Sequence, residues 1–227
     1  DYEAAVEHAE RLGARSHTAV LTARLGDALI EAGDTERGER LLREVIDSTR
    51  GRHVEALPAA RLFLISWLCV SGRTAEAREQ VRALREEFRL AHYVVFDSFI
   101  LGAEAYIEVA EGHDERGLGI AREAMRQAED PLVAAMAPHL CASYAVLAAA
   151  ALAGLDGARH ARDAARCLGA ADSWLPEGHR ANLLERAARA RAEDRIRQAL
   201  DETAFEAAYA EGDGLSPEEA VALLDPA

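Results

Sequence analysis

Eight histidines, three cysteines and 40 carboxylates supply the side chains for metal binding or acid–base chemistry. Their spacing decides whether such chemistry is encoded. A zinc-hydrolase helix places two histidines one turn apart, in the pattern His-Glu-x-x-His, so that both rings face one ion. No histidine pair here has that spacing. His139 and Cys141 are near neighbours, but a two-residue step turns them to different sides of a helix. Serine, histidine and aspartate are all present, yet no strand-turn-helix elbow presents a nucleophile. All 26 cationic residues are arginine. The absence of lysine excludes a phosphate-loop lysine, a Schiff-base lysine and a kinase-type strand lysine. The expectation is therefore no catalytic, cofactor or metal site, and no enzyme.

Composition bounds the remainder. The formal charge of −14 repels a phosphate backbone, so no direct nucleic-acid contact is expected. Cys69, Cys141 and Cys167 are dispersed at apolar positions, which suits buried thiols in a reducing compartment. No apolar run reaches the roughly 18 residues needed to span a bilayer, and Asp1 to Arg15 is a charged amphipathic stretch unlike a signal peptide. A cytoplasmic protein is expected. Half the residues are apolar while aromatics are scarce and alanine abounds, which favours close-packed helices over sheets.

The positioning elements show in three stretches, LIEAGDTERGERLL (Leu29 to Leu42), LCVSGRTAEAREQV (Leu68 to Val81) and EVAEGHDERGLGIA (Glu108 to Ala121). Gly33, Gly72 and Gly112 fall in register, 39 and 40 residues apart, a period that signals stacked supersecondary units. A glycine just past the last helical turn supplies positive φ. Asp34, Thr35, Thr74 and Asp114 then read as caps of the following helix. Five residues after each glycine stands a small residue, Gly38, Ala77 or Gly117, where the two helices of a pair approach. Gly26 and Ala105 fill the matching position on the first helix, where the second unit has Ile65.

The expected fold is all-α: a right-handed solenoid of antiparallel helix pairs with extra C-terminal capping helices, as one continuous domain. Residues 1–15 form the second helix of a truncated repeat, and this implies a fragment of a larger polypeptide. Repeats span 16–51, 54–90 and 92–129. An irregular one spans 132–175, its turn placed at Gly154 or Gly157, and residues 177–227 are C-terminal helices. Ser216-Pro217-Glu218-Glu219 announces the last of these as a capping box with proline in the first turn.

The pattern at Leu25, Gly26, Leu29, Gly33, Gly38, Leu42 and Val45 resembles a tetratricopeptide repeat, with a longer period than the usual 34 or so residues. The tail segments AARCLGAADSWL (Ala164 to Leu175) and DETAFEAAYAEGDGLSPEEAVALL (Asp201 to Leu224) are similar to the end of the repeat region in multidomain bacterial activators. Those are the ATP-binding LuxR-type regulators like the maltose regulator, and the antibiotic regulatory proteins of actinomycetes. The resemblance covers essentially the whole chain. It implies a sensor or coupling arm, acting with a nucleotide-dependent switch domain and a DNA reader located elsewhere in the polypeptide.

In such stacks the first helices line the concave surface, where partners sit. Counting from the repeat glycines, the candidate contacts are Asp27, Glu31, Ser66, Cys69, Tyr106 and Tyr144. Tyrosines and carboxylates there could hold a basic peptide, a partner helix or a small inducer. The alternative is that they satisfy neighbouring helices. Trp67, Phe63 and Phe88 read as core between helices, and the Arg186 to Arg197 run as a solvated face. The function expected is a non-catalytic interaction and ligand-sensing domain of a transcriptional regulator, with a protein or a small-molecule inducer as partner. Its alternative is a scaffold or homo-oligomerisation module with no ligand of its own.

Overall fold

The computed structural model describes residues 1–49, 56–88, 94–155 and 157–225. Among them stand thirteen α-helices and one 3-10 turn, with no strand. The all-α expectation holds. The chain divides into two compact units, Asp1–Arg89 and Leu90–Ala227, where the sequence suggested one continuous domain.

The first unit holds α1 (Tyr2–Arg11), α2 (Arg15–Glu31), α3 (Thr35–Thr49), α4 (Ala56–Val70) and α5 (Thr74–Phe88). Helices adjacent in sequence pack on one another, and α2 also packs on α4. Gly33 and Gly72 end α2 and α4 with φ of 94° and 77°. At the first, the Gly33 amide donates to the Ile30 carbonyl and the Asp34 amide to the Leu29 carbonyl, two bonds that occupy otherwise orphaned acceptors. Gly13, φ 65°, closes α1 in the same way, a recurrence the sequence reading did not include. Close approach is as real as the turn. A Cβ on Gly38 would stand 2.5 Å from the Gly26 carbonyl oxygen and 2.7 Å from Ile30 Cγ1. Leu42, Leu64, Ile65, Leu68 and Leu84 are fully buried and fill the core.

The second unit holds α6 (Val94–Ala110), α7 (Asp114–Ala128), α8 (Pro131–Met136), α9 (Leu140–Leu152), a 3-10 turn (Gly157–His160), α10 (Ala161–Ser173), α11 (Leu183–Ala199), α12 (Glu202–Gly212) and α13 (Pro217–Leu223). Helix α9 is its centre, packed against α6, α7, α10 and α11. From Tyr144 to Leu152 every residue of it is buried, as expected of a helix apolar all round. Its alanines let several neighbours approach at once. Helix α10 packs on α12 and α13, and the Trp174 indole N–H donates to the Leu215 carbonyl at 2.8 Å. The two tail segments thus form one interlocked piece. Ser216 caps α13 in the expected capping box, with Pro217 in the first turn.

Local details depart from the sequence reading. His113, not Asp114, occupies the cap position of α7 and makes no side-chain cap bond; Asp114 is already helical, and its carboxylate is taken by Arg195 at 2.6 Å. Gly154 lies outside the positive-φ set, and the extra residues after α9 coil into the 3-10 turn. Helix α8, capped by Asp130 and opened by Pro131, was not anticipated, nor was the Asn182–Glu185 capping box that starts α11. No helix among the described residues is long and apolar enough to cross a membrane.

Candidate functional site

The six candidate contacts fall into two groups. Asp27, Glu31, Ser66 and Cys69 belong to the first unit, Tyr106 and Tyr144 to the second. Asp27 and Glu31 stand one turn apart on α2, half-buried and exposed respectively. Burial, then the repulsion of Glu31, pushes the Asp27 carboxyl up to about 6, against a smaller opposing pull from Arg24. Ser66 on α4 is half-buried and donates to the Leu62 carbonyl of its own helix at 3.0 Å.

The other three lie in the interior. Cys69 is 2% exposed, and burial pushes its thiol up to about 12. Tyr106 is buried beside Arg191, whose guanidinium carbon lies 5.9 Å from the ring centre. Tyr144 is buried too, and its hydroxyl donates to the Ser98 carbonyl at 2.6 Å. Burial raises its pKa against the Ser98 hydrogen bond. These three residues pack helices together and offer no accessible contact face, because counting along one helix cannot tell how many neighbours cover it.

The aromatic expectation also shifts. Trp67 is half-buried and its indole N–H donates to Glu39 at 2.8 Å; Phe63 is half-buried under the Arg24 guanidinium at 5.1 Å. The Phe88 side chain lies outside the described residues. Glu39 also accepts from Arg73 at 2.7 Å and from Arg43 at 2.9 Å, and both arginines reach on to Glu76. Partial burial opposes ionisation of Glu39, but the hydrogen bonds from Arg73, Trp67 and Arg43 outweigh it and hold the carboxyl down at about 2.

The Arg186 to Arg197 run is more than a solvated face. Arg189 forms a fork on Asp172, which also accepts from the Tyr209 hydroxyl, while Arg195 bonds Asp114 and the Ala150 carbonyl. Arginine forks of this kind tie distant helices together.

Two clusters carry ionisable groups at close quarters. His139 and His179 stack with ring centres 4.9 Å apart, and both face Glu185, which accepts from Ser143 at 2.5 Å. Burial lowers the His139 pKa, against the pull of Glu185. The second cluster is Glu108, Glu111 and His113 at the turn between α6 and α7, where the ligand atoms lie within 4.8 Å of one another. Each of the three offers one ligand atom within that span, and His113 Nδ1 and Glu108 Oε2 are hydrogen-bonded at 3.0 Å. They contain no histidine pair; their sequence signature is a glutamate at i and i+3 with a histidine at i+5 across a helix-ending glycine. Comparison with known proteins finds no matching family model, no matching curated protein and no matching solved structure.

Proposed function

We propose that this chain is a non-catalytic interaction and ligand-sensing module of a bacterial transcriptional regulator, its helix pairs arranged as a tetratricopeptide-like solenoid. The observation that carries the reading is the helix, left-handed glycine, helix turn recurring at Gly33, Gly72 and Gly112. Units repeated at that period leave one face of each pair for a partner. The tail segments similar to activator repeat regions support the regulatory context. A ligand acts on such an arm by binding one of its states more tightly than another, which biases a switch domain.

With Cys69, Tyr106 and Tyr144 inside, Asp27 and Glu31 on α2 and Ser66 on α4 are the candidate contacts that reach the surface, and the two carboxylates suit a cationic group. A guanidinium there relieves the repulsion between the two carboxylates and favours the ionised form of Asp27. Binding therefore expels a proton near pH 6, and affinity rises as pH climbs through that value. Titration calorimetry with an arginine-rich peptide at pH 5 and pH 7.5 tests this. Wild type is expected to bind several-fold tighter at pH 7.5, with most of the pH dependence lost in Asp27→Asn and kept in a Glu218→Gln control at an exposed position of α13. Equal pH dependence in wild type and Asp27→Asn would remove the α2 face from the proposal.

A further inference from the structure

The sixth residue of each repeat turn folds back onto the first, and in two of the turns the first is leucine: Leu29 before Gly33 and Leu68 before Gly72. A hydrophobic contact ordinarily accompanies this helix ending. At Gly112 the same position is Glu108, 1% exposed, and the residue folded onto it is His113. A buried carboxylate costs several kcal/mol unless its surroundings compensate. Here it stands where the fold elsewhere uses a leucine, with His113 and Arg116 as polar partners at the turn.

We propose that Glu108, Glu111 and His113 form a binding site for a divalent transition-metal ion of the zinc class, with the remaining coordination positions open to water. His113 Nδ1 lies 3.0 Å from Glu108 Oε2 and 3.7 Å from Glu111 Oε2, and all three atoms lie within 4.8 Å of one another. An ion bonded at about 2.0–2.1 Å separates its ligands by about 3.0 Å at right angles and about 3.4 Å in a tetrahedron. The two distances from His113 Nδ1 bracket that spacing.

The backbone holds them there. The His113 amide donates to the Glu108 carbonyl at 2.9 Å, and Gly112 at φ 80° turns the imidazole back over the helix end. Arg116 stands 3.5 Å from Glu108 Oε1 and offsets part of the negative charge, while Oε2 is hydrogen-bonded to His113 Nδ1 at 3.0 Å, a contact that an ion inserted between the two atoms would replace. Asp114 is engaged by Arg195 and does not join the set. One imidazole with two carboxylates suits zinc, cobalt or nickel better than magnesium or calcium, which prefer all-oxygen shells. Glu111 and His113 are partly and largely open to solvent, so an ion has a path in and a face on which a fourth ligand can sit.

Equilibrium dialysis of the whole chain against micromolar zinc chloride at pH 7.5, read by elemental analysis and paired with melting curves, tests the site. One equivalent of zinc is expected, with a rise in melting temperature from binding to the folded state. Replacement of the ligands is expected to weaken binding at least tenfold in His113→Ala and Glu111→Gln. Both positions lie at the surface, so their replacement leaves the core intact; Glu108→Gln, in the interior, is read only if its melting curve remains cooperative. A His139→Ala/His179→Ala variant is expected to keep the zinc. Absence of a saturable equivalent in wild type, or its persistence in His113→Ala, overturns the proposal.

Discussion

Glu39 accepts hydrogen bonds from the indole of Trp67 on α4, the guanidinium of Arg43 on its own helix and that of Arg73 in the turn between α4 and α5. Charge-assisted bonds to one carboxylate make it the hub of the first unit's polar network. Replacing it with glutamine is expected to cost about 1–2 kcal/mol at pH 7. The sign of the pH dependence follows from a folded-state pKa held at about 2, below the ordinary 4.5. The ionised carboxylate stabilises the fold fully above about pH 4.5, and that contribution fades as pH falls through 2. Urea titrations at pH 7, 4.5 and 3 should show wild type and Glu39→Gln converging as acid is added; a constant gap would mean that the charge plays no part. Such networks are nearly invisible in sequence. Arg195 and its partner Asp114 are 81 residues apart, so the run from Arg186 to Arg197 reads as solvated when only neighbours in the chain are weighed.

At the level of helices, what was legible was what is local. The helix-ending glycines, the small residues five places later and the Ser216 capping box each depend on a few adjacent residues, and each stands as read. Asp130-Pro131 carries an equally local signal for α8, a helix that falls outside the repeat period. The capping role of Asp114 failed because His113 holds the cap position and Asp114 is already inside the helix, where a distant arginine takes its carboxylate. The close-approach reading gives a contrast between two helical glycines. Gly38→Leu forces α2 and α3 apart and should cost ~3 kcal/mol or more. At Gly119, exposed in α7, a Cβ meets nothing within 4 Å, and Gly119→Ala should stabilise by roughly 0.5–1 kcal/mol through helix propensity. Thermal unfolding of both variants checks the pair; equal effects of one sign would contradict the assigned packing.

For the molecule as a whole, composition settled the class and the charge but not the grouping of helices. Which residues end up covered depends on how many partners a helix has, and α9, with neighbours on several sides, buries Tyr144 where a two-layer stack would leave one side open. The net charge of −14 has a consequence at this scale. At 0.15 M salt the chain should not retard duplex DNA in a gel at micromolar concentrations, since no counterions are released by an anionic surface; a discrete shifted band would refute that. The thiols carry a different consequence. Cys167 has no accessible surface and donates to the Ala145 carbonyl, and burial pushes it up to about 12, whereas Cys141, only partly covered, rises to about 11. Both stay protonated and slow to react while the second unit is closed. They are, in effect, native tripwires: an alkylating reagent reaches Cys167 at the pace at which the surrounding helices part, so the labelling rate clocks the breathing of that region without any engineered probe.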